Sequence, residues 1–266
     1  MTDASSPPPV ALHSETSGAG HPLILLHGLF GSLSNWRPVS RVLSAHFHVV
    51  NVDQRNHGRS PHHDTFSYPA LAEDLRALLA SQSLNSAFVL GHSLGGKTAM
   101  QFALAYPQCV DKLIVVDMPP LANPPRHEEI LAALNALDLS ASRDRRTLDA
   151  QLAPRIPDAA VRQFLLMNVM NGADGGLQWR MNLSAFTRCY PEILRAVTLP
   201  SGGTPFAKPA LFVRGERSDY VRDEDMTAIR ALFPQAQLVT VAGAGHWVHA
   251  DAPEEFARLV LDFLGA

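Results

Sequence analysis

Gly91-His92-Ser93-Leu94-Gly95 constrains this chain more than any other stretch. It fits G-x-S-x-G and joins two segments of different period. Ala87-Phe88-Val89-Leu90 before it is a short apolar run that reads as a buried strand. After it, apolar residues fall at 99, 100, 103 and 104, which is helical spacing. Strand, sharp turn and helix make a nucleophile elbow. The turn forces its central residue into a strained backbone conformation and lifts the side chain above the sheet. Small residues must flank it, because the strand and helix backbones nearly touch, and Gly91, Gly95 and Gly96 supply them. Ser93 is therefore the candidate nucleophile.

A serine hydroxyl needs a base, a group that orients the base, and donors for the oxyanion. Of the twelve histidines, His246 is best placed. It follows a strand-like run, Leu238-Val239-Thr240-Val241, in a glycine-rich loop before the helix that Pro253 opens. The chain order serine, acid, histidine asks for such a late loop. His249 is its rival, one turn away, while His27 and His92 sit in motif positions that suit backbone packing. Leu94, after the nucleophile, supplies one oxyanion amide. The second is expected from the loop His27-Gly28-Leu29-Phe30-Gly31-Ser32 after the strand at 22–26, with Leu29 the first choice, Phe30 the alternative donor, and the Phe30 ring expected to face the pocket.

With these segments in hand, the chain resembles the α/β-hydrolase superfamily over nearly its whole length. Val52-Asp53-Gln54-Arg55-Asn56-His57-Gly58-Arg59-Ser60 is similar to that superfamily's D-x-R-G-H-G-x-S loop, with Asn56 in place of a glycine. Together with Gly91-His92-Ser93-x-Gly95-Gly96-Lys97 and Gly243-Ala244-Gly245-His246-Trp247-Val248-His249-Ala250, it resembles the small bacterial esterases of the YbfF type.

The acid departs from the commonest pattern. Most of the superfamily carries it in a G-x-x-D loop after the strand that follows the cap. Here that loop is Gly215-Glu216-Arg217-Ser218-Asp219, so Ser218 holds the expected position and Asp219 falls one residue late. Asp117, at the end of Leu113-Ile114-Val115-Val116, lies at the same sheet edge. The YbfF-type resemblance implies an acid from that strand, so Asp117 is favoured over Asp219, with Ser218 and Asp219 as supports of the pair.

Strands are expected near 22–26, 47–52, 87–90, 112–116, 210–213 and 238–241, with a short edge strand at 10–13. Helices are expected near 34–44, 68–82, 94–106, 223–232 and 253–264. That alternation implies an α/β-hydrolase fold, a mostly parallel sheet with helices on both faces. Residues 1–118 and 209–266 form the core, with 1–9 a proline-rich tail. Residues 119–208 break the rhythm and read as a helical cap inserted in the core. Phe30, Trp179, Tyr190 and Trp247 are candidate pocket walls, joined by Met181 and Phe186. Asp53, Arg55 and His57 read as a structural cluster bracing the oxyanion loop.

A net charge of −3 gives no general attraction to polyanions, so no nucleic-acid partner is expected. Arg143-Asp144-Arg145-Arg146 reads as a solvated helix face. The two cysteines, Cys109 and Cys189, form no metal pattern and read as free thiols. No metal or organic cofactor is called for. No apolar run approaches the roughly 20 residues of a membrane span, and the polar start lacks a signal peptide's apolar core, so a cytoplasmic enzyme is expected. The resemblance implies hydrolysis of short- to medium-chain acyl esters, with acyl-CoA thioesters as an extension. Perhydrolysis and carbon–carbon bond hydrolysis use the same three side chains. A catalytically silent binding protein is disfavoured, because the chain keeps both serine and histidine. Oligomeric state is not legible.

Overall fold

The computed structural model describes residues 8–140, 142, 144–172 and 175–266. In chain order its strands are β1 (Ser14–Ser17), β2 (Pro22–Leu26), β3 (His48–Val52), β4 (Ala87–His92), β5 (Val110–Val116), β6 (Val169–Asn171), β7 (Leu177–Trp179), β8 (Ala210–Gly215) and β9 (Ala236–Val241). Its α-helices are α1 (Arg37–Leu43), α2 (Tyr68–Ser81), α3 (Leu94–Ala105), α4 (Glu128–Asn135), α5 (Arg145–Leu152), α6 (Ala159–Leu166), α7 (Leu183–Ile193), α8 (Met226–Leu232), α9 (Val248–Asp251) and α10 (Pro253–Leu264).

The main sheet has the order β1-β3-β2-β4-β5-β8-β9. Every pairing in it is parallel except β1 on β3. The strands read as unbroken apolar runs because both faces are covered. Along β2, Ile24 and Leu26 join one buried cluster, with α2, α3 and α8. Leu23 and Leu25 join the opposite one, with α1, α9 and α10. This is the two-residue alternation of a strand, with apolar side chains at every position.

Strand order reverses between β2 and β4, the neighbours that share the pairing Leu26 with Gly91. Open α/β sheets bind ligands at the carboxyl ends of strands beside such a point. The loop after β2 and the turn after β4 therefore lie side by side. The ends of β5, β8 and β9 share that edge, through the pairings His92 with Val116, Val116 with Val213 and Gly215 with Val241.

The edge strand differs from the expectation. The ladder to β3 runs through Ser14–Ser17, just past the apolar residues 10–13. Those residues are fastened otherwise: Val10 N donates to Asp74 Oδ1 at 2.8 Å and His13 O accepts from Asp53 N at 3.0 Å. The insertion after β5 holds α4 to α7 and also a small antiparallel ribbon, β6 with β7. Strands of three residues are too short to show a period. The insertion's apolar side chains pack with one another and with Phe30, Phe66, Tyr68, Leu71 and Leu94.

Two readings fall partly or wholly outside the described residues: the tail, of which only Pro8 and Pro9 are described, and Arg143. Asp144 next to it caps α5, its carboxylate accepting from Thr147 N at 2.8 Å. Among the described residues no helix is long and apolar enough to cross a membrane.

Candidate active site

Ser93 stands at the N-terminus of α3 with φ 53° and ψ −117°, a conformation that L residues rarely adopt. Its N–H donates to Val116 O at 3.0 Å, which locks the turn onto β5. A Cβ on Gly91 would lie 2.1 Å from Gly95 O, and one on Gly95 would lie 2.4 Å from Leu26 O. The backbones of β4, α3 and β2 touch there, so only hydrogen fits. Ser93 is 8% exposed and lines a cavity of about 450 Å³ that Val161, Phe164 and Leu165 of α6 also line.

His246 lines the same cavity. Its Nδ1 lies 2.7 Å from Asp117 Oδ2, and Ser218 Oγ donates to that same oxygen. Asp117 is fully buried and has φ 50°. Its N–H donates to Val213 O at 2.8 Å, so the residue is held across the β5–β8 seam. Asp219 goes elsewhere: its side chain is 65% exposed and pairs with Arg126 at 2.6 Å. That hydrogen bond raises the Arg126 guanidinium and lowers the Asp219 carboxyl. The one-residue offset in the loop thus directs Ser218 inward and Asp219 outward.

His249 touches no carboxylate. Its ring packs 4.4 Å from Trp36 and 4.8 Å from His92, and burial, with His246 nearby, pushes it down to about 3. His92 is also held neutral by burial, with His246 and His249 adding, and its Nε2–H donates to His246 O at 2.9 Å. His27 donates from Nδ1 to Gly28 O at 2.8 Å and accepts the Gln54 N–H on Nε2 at 3.1 Å, an assignment that needs its neutral form. Burial favours that form. These rings brace backbone on either side of the elbow.

Leu94 begins α3, so its N–H is one of the helix's orphan donors. Leu29 lines the cavity beside Gly28 and Ser93. Phe30 takes φ 62°, and its carbonyl accepts from the cap's Asn168 Nδ2 at 2.7 Å. Asp53 holds the following turn, accepting from Leu33 N at 2.7 Å and Arg59 N at 2.8 Å. Arg55 meets Asp74 of α2 in a fully buried two-pronged pair at 2.5 and 2.6 Å. Asn56 has φ 68°, tolerable for asparagine as for glycine. Its side-chain oxygen accepts from His63 N at 2.7 Å and from the cap's Asn182 Nδ2 at 3.1 Å, a tie that glycine could not make.

The pocket expectations divide. Phe30 and Trp247 line the cavity, and Trp247 meets Phe164 of α6 at 5.6 Å between ring centres. Tyr190 lines a smaller hollow that Ser93 also borders. Trp179 lines neither hollow: β7 pairs it with Val169, and it packs on the cap's own cluster. Phe186 is buried behind Phe30, and Met181 is buried in the cap. Tyr220, which the sequence reading missed, stacks on the His246 ring at 4.0 Å and 17°. The Arg126 guanidinium lies over the Tyr220 ring, 4.5 Å from its centre. Only the spacing to Ser218 could have pointed to Tyr220. Among the described residues no group of His, Cys, Asp or Glu could hold a metal ion.

A hydroxyl on a strained turn, an imidazole bonded to a buried carboxylate, and a concave apolar cavity define a serine-hydrolase type of site. The chain belongs to the α/β-hydrolase family: the model described as alpha/beta hydrolase fold matches residues 21–253. The sn-1-specific diacylglycerol lipase ABHD11 of Mus musculus is 39% identical over 250 residues, 91% of this chain and 80% of that protein. Esterase YbfF of Escherichia coli (strain K12) is 37% identical over 244 residues, 91% and 92% of the two chains. A solved marine microorganism esterase superposes with a TM-score of 0.93 at 42% identity, covering 96% of this chain and 99% of that one. The protein is a hydrolase of the esterase and lipase type, acting on carboxylic ester bonds.

Proposed function

We propose that this enzyme is a serine carboxylesterase that cleaves short- to medium-chain acyl esters through an acyl-enzyme, with acyl-CoA thioesters as further substrates. His246 takes the proton of Ser93 as Oγ attacks the acyl carbonyl. Asp117 accepts the Nδ1–H and stabilises the imidazolium as it forms. The amides of Leu29 and Leu94 receive the negative oxygen. His246 then hands its proton to the leaving alkoxide or thiolate, and the alcohol or thiol departs. Water attacks the acyl-serine with the same histidine as base, releasing the acid and restoring Ser93.

The observation that carries this reading is the 2.7 Å contact between His246 Nδ1 and the buried Asp117 carboxylate, with His246 and Ser93 lining one cavity. The supporting test is hydrolysis of p-nitrophenyl esters from acetyl to palmitoyl and of acyl-CoA thioesters, with Ser93→Ala as control. Turnover that vanishes in Ser93→Ala, with fluorophosphonate labelling of wild type alone, is expected. Turnover that survives in Ser93→Ala would overturn the mechanism.

A further inference from the structure

Two hollows meet at Ser93, and they are unequal. The larger, of about 450 Å³, includes the histidine loop and runs beneath α6. The smaller, of about 30 Å³, lies toward the start of α3 and the ends of β5 and α7. Leu29 and Ser93 border both, but His246 borders the larger alone and Leu94 the smaller alone.

This asymmetry bears on how an ester can lie. The leaving oxygen must reach the protonated His246, so the alcohol runs into the hollow that His246 borders. The carbonyl oxygen is aimed at the amides of Leu29 and Leu94. The remaining substituent of the carbonyl carbon, the acyl tail, is left the small chamber. We propose that the enzyme is selective for short acyl groups, acetyl to butyryl, carried on bulky apolar alcohols. This assignment rests on the triad reading above.

The sizes agree with it. One water needs roughly 10–15 Å³ of such space, so the small chamber of about 30 Å³ takes about two to three water-sized groups beyond the carbonyl. Its walls are tied in place. Tyr68 Oη donates to Ile193 O at 2.6 Å, and Tyr190 Oη accepts from His127 N at 2.7 Å. Asn123 donates from its backbone to Leu194 O at 2.8 Å and from its side chain to Met118 Sδ at 3.0 Å. These bonds stiffen the walls against a longer acyl chain. The larger hollow carries Ile130, Val161, Phe164, Leu165 and Trp247, apolar surface suited to an aryl or branched alcohol.

The experiment is a two-way series on the whole protein, with Ser93→Ala as the blank. One arm lengthens the acyl group from acetyl to octanoyl on one alcohol, 2-phenylethanol. The other enlarges the alcohol from ethanol to 2-phenylethanol on acetate, two alcohols of similar acidity. The expected result is a fall in kcat/KM of at least about tenfold from butyryl to octanoyl, and a rise of at least about tenfold from ethyl to 2-phenylethyl acetate. Met118→Ala should move the acyl optimum to longer chains and leave the alcohol dependence in place. Leu194→Ala, on a separate element, should do the same and stands in if the first variant does not fold. Faster turnover of octanoyl than butyryl esters in wild type, or unmoved optima in both folded variants, overturns the assignment while the esterase reading stands. Absence of any Ser93-dependent turnover on the whole series overturns both.

Discussion

Exchanging Asp117 for asparagine, beside the same exchange at Asp219, separates the two candidate acids by a wide margin. Asp117 is fully buried and its Oδ2 accepts from both His246 Nδ1 and Ser218 Oγ. An amide there keeps the shape but loses the charge that stabilises an imidazolium, and it can turn an N–H toward Nδ1 and impose the wrong tautomer. In a comparable triad that change lowers kcat by about 10⁴-fold, or about 5 kcal/mol of transition-state stabilisation. Asp219 is 65% exposed, and its partner Arg126 is 31% exposed. Such a surface pair is worth about 0–1 kcal/mol, so Asp219→Asn should cost at most about fivefold. The assay is kcat and kcat/KM on p-nitrophenyl acetate for both variants, with thermal unfolding to show that each is folded. A folded Asp117→Asn that keeps most of its activity while Asp219→Asn loses it would refute the assignment. Ser218→Ala belongs in the same set, with a loss of about tenfold expected from one hydrogen bond to a charged group.

Three other outcomes follow from the same contacts. Asn168→Ala removes the cap's bond to Phe30 O, so kcat should fall more than KM rises, as steady-state kinetics will read. Asp74→Ala leaves the Arg55 guanidinium buried without its carboxylate and should cost about 3–5 kcal/mol in urea unfolding. Acid stability follows from burial, which lowers His27, His57, His92, His127 (to about 4) and His249 (to about 3). In the unfolded chain each regains the ordinary value of about 6.5. Below that pH the unfolded state therefore binds protons that the fold refuses. Stability should fall as pH drops from about 6.5 toward 4, by up to about 1.4 kcal/mol per pH unit for each histidine, and a flat urea midpoint between pH 7 and 5 would refute this.

The core was legible because its signals are local. A parallel strand covered on both faces needs an unbroken apolar run, as in Leu23 to Leu26, and the elbow needs glycine where backbones touch, as at Gly91 and Gly95. Each such requirement is met within a few residues of chain. Edge strand β1 escaped because its sequence, Ser-Glu-Thr-Ser, is polar and its pairing is set by the neighbour β3. The more apolar residues just before it, Val10 to Leu12, carry the stronger strand signal. Residue type alone points to Trp179 as a pocket wall, but its direction is set by the ribbon β6–β7, too short to leave a period in the sequence.

Around Ser93 the unread part of the site is also the part that joins distant segments. Tyr220 stacks on His246 from the β8 loop, and Arg126 reaches over Tyr220 from the start of the cap. Asn168 and Asn182 bond from the cap to Phe30 and Asn56, two non-glycine residues at positive φ in the core's motif loops. Both positions carry left-handed backbone, and each takes a hydrogen bond from the insertion. The motifs therefore specify where these loops start, while Asn168 and Asn182 of the insertion tie them from outside. Two relatives with identical motifs and different caps need not share oxyanion geometry, and substrate choice in this fold is written in contacts that no single stretch of sequence contains.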